Sequence, residues 1–328
     1  MTLVLLTRGR RGYAGAMTRS AIQDTAASRP ILVTGSHRSG TTWVGRMLAL
    51  PSGVGYIHEP FNPLTVPPIG PLVDGFTFVH EGNEHLFRPA LEQVLRYRWH
   101  RRLHHINGPK DATRLAAERF EALRSRIRGA RPLMKDPMAI LSAEWLAATF
   151  AMEIVVTVRH PAAFAVSLRR LSWRYDFSSL LSQRELMERL LAPYEDLLRQ
   201  QERRPGDIIG EAAVLWLIIH HVIDGYRRRH PDWSVVRHED LSADPIGGFA
   251  RLYESLGLAF RPRIESKIRA VTGSGNPTEP KRDPVHGVRR DSRAIARRWR
   301  NELSNEEVAR IRELTGPVAA KFYAEDEW

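Results

Sequence analysis

Glycine, hydroxyl and arginine residues are concentrated in the segment GSHRSG at 35–40, which is followed by Thr41, Thr42 and Trp43. Glycines at both ends let a backbone wrap around an anion, and the N–H groups at the start of a following helix add positive potential. The spacing matches the phosphate-loop pattern G-x-x-x-x-G-K-[ST], except that Thr41 replaces the lysine. Because that lysine normally reaches the β- and γ-phosphates, its absence argues against triphosphate hydrolysis. Arg38 is the cation of this loop instead, and a purely structural glycine turn is the alternative interpretation.

A second pair of residues suited to anions is Arg159 and Ser167, which lie eight positions apart. Arg159 follows the apolar run IVVTV at 154–158, and Ser167 falls within the helical pattern that comes next. A guanidinium group matches two phosphate oxygens, and a hydroxyl on the adjoining helix can donate a further hydrogen bond. The pair therefore predicts a second anion site. A surface arginine at a strand end is the alternative.

Glu59, in the sequence HEPF at 58–61, is the candidate proton acceptor because it directly follows another apolar run. His58 is the second candidate, although alternation along a strand points its side chain to the opposite face. Lys135 and Asp136 end a third run. Lys135 could neutralise charge at the reacting group or at Glu59, and it could equally pair with Asp136. For Glu59 the alternative is a capping or structural carboxylate.

These residues follow five short apolar runs rich in β-branched residues, which predict strands. The runs cover residues 30–34, 54–58, 132–135, 154–158 and 233–237. Helical patterns cover residues 42–50, 113–128, 142–150, 162–171 and 211–229. This alternation predicts an α/β, P-loop-like three-layer fold with a central, mostly parallel sheet of about five strands flanked by helices. Because ligands bind at the carboxyl ends of parallel strands, one edge of the sheet should gather the phosphate loop, Glu59, Lys135 and Arg159.

The loop SHRSGTTW at 36–43 resembles the 5′-phosphosulfate-binding loop of sulfotransferases that use 3′-phosphoadenylyl sulfate (PAPS). Members of that family carry Lys or Arg before Ser-Gly-Thr-Thr-Trp or a close variant. Their 3′-phosphate signature is similar to Arg159 and Ser167, with His160 here where many members have Asp. Further similar segments are VVRHEDL at 235–241, Asp244-Pro245, Trp299 and Phe322-Tyr323. The resemblance is to a bacterial, carbohydrate-type member of the family, and it covers most of residues 30–323.

The resemblance implies transfer of a sulfuryl group from PAPS to a hydroxyl of a carbohydrate, glycolipid or other small acceptor, with 3′,5′-adenosine bisphosphate (PAP) as product. It assigns the 5′-phosphosulfate to Arg38, Ser39, Gly40, Thr41, Thr42 and Trp43. It assigns the 3′-phosphate to Arg159 and Ser167, and a closing loop to Arg289 and Arg290, with Arg282 as a competitor.

The predicted catalytic residues are Arg38, Glu59 and Lys135, and Glu59 lies where carbohydrate-type members have their inferred base. We expect no metal, because a sulfuryl group carries less charge than a phosphoryl group. His100 and His104 are four residues apart but have no third ligand in the sequence around them, and His220 and His221 fall in an apolar helical pattern.

The formal net charge of +12 indicates an anionic partner: a nucleic acid, an acidic membrane or a phosphorylated small molecule. Only five of the 49 basic residues are lysines, so a high-GC genome is an alternative source of the charge.

A P-loop kinase or nucleotide hydrolase is the competing enzyme class, with Asp136 or Asp240 as its magnesium ligand. A nucleic-acid-binding protein is disfavoured because the arginines are dispersed along the chain. Cysteine is absent, which excludes disulfides and cysteine nucleophiles.

The chain is expected to form a single domain over residues 30–328, preceded by a weakly ordered extension at 1–29 in which Met17 could be the true start. Insertions near 62–130 and 172–210 would overhang the ligand edge and form acceptor-binding walls. The longest apolar stretch, at 212–223, is too short to span a bilayer and predicts a buried helix. We therefore expect a cytoplasmic protein without a transmembrane segment, and the basic charge is compatible with peripheral membrane contact.

Overall fold

The computed structural model describes residues 29–63, 69–98, 109–203, 207–273, 275–277, 289 and 291–328. The strands of this part of the chain are β1 (Ile31–Gly35), β2 (Val54–His58), β3 (Arg131–Lys135), β4 (Glu153–Val158) and β5 (Ser234–Arg237). They form one parallel sheet in the order β2-β3-β1-β4-β5. The predicted fold class is confirmed, and each predicted strand ends within one residue of its observed bounds.

Helices flank the sheet on both faces. The first seven are α1 (Thr41–Leu48), α2 (Glu84–Leu95), α3 (Pro109–Ile127), α4 (Ala143–Phe150), α5 (Pro161–Arg170), α6 (Ser178–Leu181) and α7 (Arg184–Leu186). The next seven are α8 (Glu195–Arg203), α9 (Ile208–Arg229), α10 (His238–Ala243), α11 (Pro245–Ser255), α12 (Pro262–Thr272), α13 (Ser292–Ala296) and α14 (Asn305–Ala319). The five predicted helical patterns correspond to α1, α3, α4, α5 and α9.

Two apolar clusters bury the two faces of the sheet, because successive residues of a strand point to opposite sides. In β1, Leu32 belongs to the cluster that contains α5 and α9, whereas Ile31 and Val33 belong to the cluster that contains α1, α11 and α12. These strands are therefore buried on both faces, as their near-continuous apolar sequences predict.

The helix α9 contains the apolar stretch at 212–223, and it packs against α5 and α14. By length and composition alone α9 could cross a membrane, but 89% of its most apolar window is buried inside the protein. His220 is fully buried in this helix and stacks on Trp216 at a centroid distance of 3.8 Å. The prediction of a buried helix is confirmed, and the cytoplasmic location stays a prediction.

The register of the sheet places the carboxyl ends of neighbouring strands side by side. His58 pairs with Lys135 across β2 and β3, and Val158 pairs with Arg237 across β4 and β5. The residues that follow these ends, including Glu59 and Arg159, consequently lie along one rim of the sheet together with the loop after β1.

Candidate active site

The loop between β1 and α1 has a strained backbone. Its φ angle is 64° at Arg38 and 98° at Gly40, both in the left-handed region that side chains other than glycine rarely adopt. At Gly40 a Cβ atom would lie only 2.8 Å from Cδ2 of His238, so glycine is required there for space as well as for conformation. Alternating right- and left-handed residues of this kind turn successive N–H groups towards one point.

The hydroxyl of Ser39 holds this loop on the sheet. It is buried, donates to the Ser36 carbonyl at 2.5 Å, and lies 2.6 Å from Oγ1 of Thr157 in β4. Ser39 is predicted to bind the co-substrate, but its side-chain hydroxyl is engaged within the protein.

The start of α1 suits a negatively charged ligand. The first intrahelical bond runs from the Val44 amide to the Gly40 carbonyl at 3.0 Å, and the first helical amides have no carbonyl partner within a helix. The first turn carries no acidic side chain. The buried Ser36 Oγ has no hydrogen-bond partner among the residues that the structure describes. Together these features fit a phosphate or phosphosulfate group.

The two predicted anion sites touch each other. Nε of Arg38 donates to Oγ of Ser167 at 3.0 Å, and Nη1 of Arg159 donates to the carbonyl of Arg38 at 2.9 Å. The loop after β1 and the β4–α5 turn therefore form one continuous cationic surface. A ligand with two anionic groups a few ångströms apart could contact both parts of it.

The backbone around Arg159 is fixed by buried hydrogen bonds. Nε1 of Trp216 donates to the Arg159 carbonyl at 2.7 Å. The next amide, that of His160, donates to Oε1 of Glu239 at 3.0 Å, and the hydroxyl of Tyr323 donates to the other Glu239 oxygen at 3.1 Å. The backbone at Arg159 and His160 is thus held by Trp216 of α9 and by Glu239 of α10, which Tyr323 contacts in turn.

His160, which lies where many members of the resembled family have Asp, adds no charge beside Arg159. Its ring stacks on Trp299 with centroids 4.8 Å apart and planes 5° apart. It caps α5 by accepting the Ala162 amide at 3.3 Å. Burial is the main cause that lowers the pKa of His160 to about 3, so the ring is neutral at physiological pH.

Glu59 and Lys135 form a buried ion pair on the other side of the loop. Nζ of Lys135, which is fully buried, donates to Oε1 of Glu59, and Nδ2 of Asn62 donates to Oε2 of Glu59 at 2.8 Å. The Glu59 backbone has a φ of 46°, and its amide bonds the Lys135 carbonyl at 2.8 Å. Asp136 instead accepts the Phe61 and Met138 amides at 2.5 and 3.0 Å. Of the two predicted partners of Lys135, the contact is with Glu59.

The electrostatics of this pair keep Glu59 ionised. Burial by itself raises the pKa of Glu59, but the charges of Lys135 and His58, with hydrogen bonds from Lys135 and Asn62, outweigh burial and lower that pKa to about 2. Burial lowers the pKa of Lys135, and the charge of Glu59 opposes this change. Because the site is buried, the loss of either charge would leave the other charge without its counter-ion in a low-dielectric environment.

The sheet order places these groups in sequence along the rim. From one side they are Glu59 after β2, Lys135 at the end of β3, the loop after β1, and Arg159 after β4. The side chain of Lys135 also packs against α1, because Cγ of Lys135 would lie 2.9 Å from a Cβ atom placed on Gly45. The sequence profile of the sulfotransferase family matches residues 30–262, a segment that includes all of these groups.

The chain belongs to the sulfotransferase family. This membership confirms the resemblance drawn from the sequence, and it favours sulfuryl transfer over the kinase and nucleic-acid alternatives.

Individual sulfotransferases are similar to parts of the chain. Carbohydrate sulfotransferase 5 of Mus musculus is 30% identical over 84 residues, which are 26% of this chain and 21% of that protein. Carbohydrate sulfotransferase 2 of Homo sapiens is 33% identical over 100 residues, which are 28% of this chain and 18% of that protein. The chain thus spans about a fifth of the length of these curated relatives.

Two solved sulfotransferase structures are similar to the chain at low sequence identity. The sulfotransferase domain of the Synechococcus PCC 7002 olefin synthase has a TM-score of 0.48 at 18% identity, covering 92% of this chain and 97% of that one. Mouse sulfotransferase SULT7A1 complexed with PAP has a TM-score of 0.43 at 14% identity, covering 90% and 89%.

Other predicted sulfotransferase residues are placed less centrally or lie outside the described residues. Trp43 is buried, and its ring packs against His238 and Phe249 in the second apolar cluster. Arg289 is exposed, and its Nε donates to Oδ1 of Asn276 at 2.7 Å. Arg290, Arg282, His100, His104 and the extension at 1–28 lie outside the described residues.

Four residues that contact the site received no role from the sequence. His238 supports Gly40, and Asn62 bonds Glu59. His37 and Trp173 belong to an aromatic group beside Arg38, in which the Arg38 guanidinium lies 5.7 Å from the Trp173 ring. His238 and Asn62 were detectable in principle, since each follows a strand end by one to four residues. Trp173 had no such signal.

Proposed function

We propose that this protein transfers a sulfuryl group from PAPS to a carbohydrate hydroxyl. The observation that supports this most directly is the contact between the two predicted anion-binding segments, in a chain of the sulfotransferase family. Nε of Arg38 donates to Oγ of Ser167 at 3.0 Å, and Nη1 of Arg159 donates to the Arg38 carbonyl at 2.9 Å. A donor with a 5′-phosphosulfate and a 3′-phosphate on one nucleoside needs two cationic sites that are this close together.

Each end of the donor would be held by its own group of residues. Arg38 and the backbone of residues 40–43 would bind the 5′-phosphosulfate, and Arg159 with Ser167 would bind the 3′-phosphate. PAPS, when bound, supplies the activated sulfuryl group and leaves as PAP. The preorganised cation of Arg38 and the amides at the start of α1 oppose the negative charge on the leaving phosphate oxygen without reorganisation of solvent.

Glu59 acts as the proton acceptor in this proposal. A carboxylate with a pKa near 2 is a weak base towards a free hydroxyl. It suffices here because the acceptor oxygen becomes strongly acidic as it bonds to sulfur, so the proton moves to Glu59 late in the step. Lys135 and Asn62 orient the carboxylate, and Lys135 holds it ionised between turnovers.

The acceptor would lie between the two insertions, which meet beside Arg38. Phe76 of the first insertion and Trp173 of the second both pack against His37, at centroid distances of 5.7 and 6.2 Å. The indole of Trp173 is 39% exposed. An exposed aromatic face next to the transfer point suits the apolar face of a sugar ring, and the names of the carbohydrate sulfotransferase relatives support that class of acceptor.

A thermal-shift comparison of PAP with ATP tests the proposal, because a sulfotransferase has a dedicated 3′-phosphate site and a P-loop kinase does not. We expect PAP to raise the unfolding midpoint at concentrations at which ATP has little effect. Labelled PAPS incubated with a glycan extract should then yield products heavier by one sulfuryl group. A stabilisation by ATP and magnesium without one by PAP would contradict the proposal.

A further inference from the structure

The outward face of α3 carries an apolar stripe that no described part of the protein covers. Phe120, Leu123 and Ile127 are 67%, 54% and 76% exposed, the three highest values among the large apolar side chains of the described residues. With exposed Ala116 they follow the spacing four, three, four, which aligns them along one side of a helix. The opposite side of α3 is its buried side, with Leu115 and Ser125 at 6% and 4% exposure.

Scattered apolar side chains are normal on a protein surface, whereas an aligned group of them marks an interaction surface. We name Ala116, Phe120, Leu123 and Ile127 the α3 stripe. Its spacing is that of the a and d positions of a heptad. The flanking e and g positions would therefore also face a partner helix. These flanking positions hold Arg119, Arg124 and Arg126, with Ala117 as the remaining one. Cations therefore line both sides of the stripe.

A basic cavity adjoins the stripe. It has a volume of about 670 Å³, and its charged lining consists of Arg124, Arg128, Arg261, Arg263, Lys267 and a single carboxylate, Glu121. Glu121 lies 3.5 Å from Arg124. None of the other four cations forms an ion pair within the described ranges, in contrast to arginines elsewhere on the surface, such as Arg199 with Glu195. This region is locally rich in uncompensated positive charge.

We propose that the α3 stripe and the basic cavity form a docking surface for an anionic lipid bilayer. The apolar side chains would enter the boundary between headgroups and acyl chains, as those of interfacial amphipathic helices do, and the cavity would receive phosphate headgroups. A second copy of the chain is a poor occupant of the stripe, because pairing two stripes would bring arginines against arginines at the flanking positions. A bilayer needs no complementary shape, which suits a stripe of only about three turns.

Flotation of the full chain with vesicles tests this surface. At about 0.1 M salt we expect binding to phosphatidylcholine vesicles that contain about a third phosphatidylglycerol, little binding to phosphatidylcholine alone, and release at about 0.5 M salt. Each surface cation near an anionic bilayer contributes about a fivefold factor, so the double variant Arg261→Gln/Lys267→Gln should bind about 25-fold more weakly. The variant Phe120→Ser/Ile127→Ser should weaken binding at least about tenfold.

The matched control is Arg251→Gln/Arg269→Gln, which removes the same net charge from positions on α11 and α12 that do not line the cavity. It should bind like the wild type. Equal weakening by both charge variants would mean adsorption by net charge alone and would overturn the proposal, as would absence of binding to the anionic vesicles. Light scattering that shows a dimer which Phe120→Ser/Ile127→Ser dissociates would assign the stripe to a second copy instead. PAP affinity and the unfolding midpoint of each variant establish that it is folded.

Discussion

Replacement of Lys135 by methionine tests the interdependence of the buried ion pair. The substitution keeps the length of the side chain and leaves Glu59 buried without its cation. In the wild type the pair lowers the pKa of Glu59 from 4.5 to about 2, a change equivalent to about 3 kcal/mol of interaction with the ionised carboxylate. We therefore expect Lys135→Met to lower the free energy of unfolding by about 3 kcal/mol at pH 7, within the range measured for broken buried pairs.

The pH dependence of this loss has a defined sign. In the wild type the folded pKa of Glu59 is below its unfolded value, so its stabilisation is present above about pH 4.5 and is lost as the pH falls towards 2. In Lys135→Met, burial raises the folded pKa of Glu59 above its unfolded value. Protonation of Glu59 at low pH therefore removes the buried, unpaired charge and restores part of the lost stability. The difference between the two proteins should consequently shrink from pH 7 to pH 4.5.

Urea denaturation followed by circular dichroism at both pH values measures these differences. The double variant Glu59→Gln/Lys135→Met is the control, because removal of both charges should restore stability to within about 1 kcal/mol of the wild type. Equal stability of Lys135→Met and the wild type at pH 7, or a deficit that does not change between pH 7 and pH 4.5, would refute the assignment of Lys135 as the partner that keeps Glu59 charged.

Four further outcomes concern the active site. Arg159→Ala should weaken PAP binding by about 1.5–3 kcal/mol, the contribution of a hydrogen bond to a charged group, and calorimetry that finds unchanged affinity in a folded variant would remove Arg159 from the site. Glu59→Gln should reduce kcat with little change in PAP affinity, and wild-type turnover would assign the base elsewhere. Trp173→Ala should raise the KM of a glycan acceptor about tenfold while PAP affinity stays constant, with Trp173→Phe in between. Activity should persist in EDTA, and strict dependence on magnesium in the same transfer assay would contradict the expected metal independence.

Local patterns were sufficient for the sheet and for five helices, but not for the regions between them. The helices α11 and α12 begin with Pro245 and Pro262, and Asp244 caps α11 by accepting the Gly247 amide at 2.9 Å. An Asp-Pro pair of this kind is a helix-start signal, because the carboxylate caps the first turn and proline fits the first helical position. The helix α2 contains Pro89 in a region rich in proline and glycine, where the local sequence argues against a helix and tertiary packing outweighs it.

The sequence by itself determined the α/β fold, the phosphate loop and the eight-residue spacing of Arg159 and Ser167, because strand periodicity, glycine conformation and side-chain chemistry are local properties. Only the tertiary structure decided which distant groups meet: Arg38 with Ser167, Lys135 with Glu59 instead of Asp136, and Trp173 with Arg38. These contacts join residues from different strand ends and insertions. They depend on the order of the strands and on competition for burial across the whole domain, which no local segment of the chain encodes.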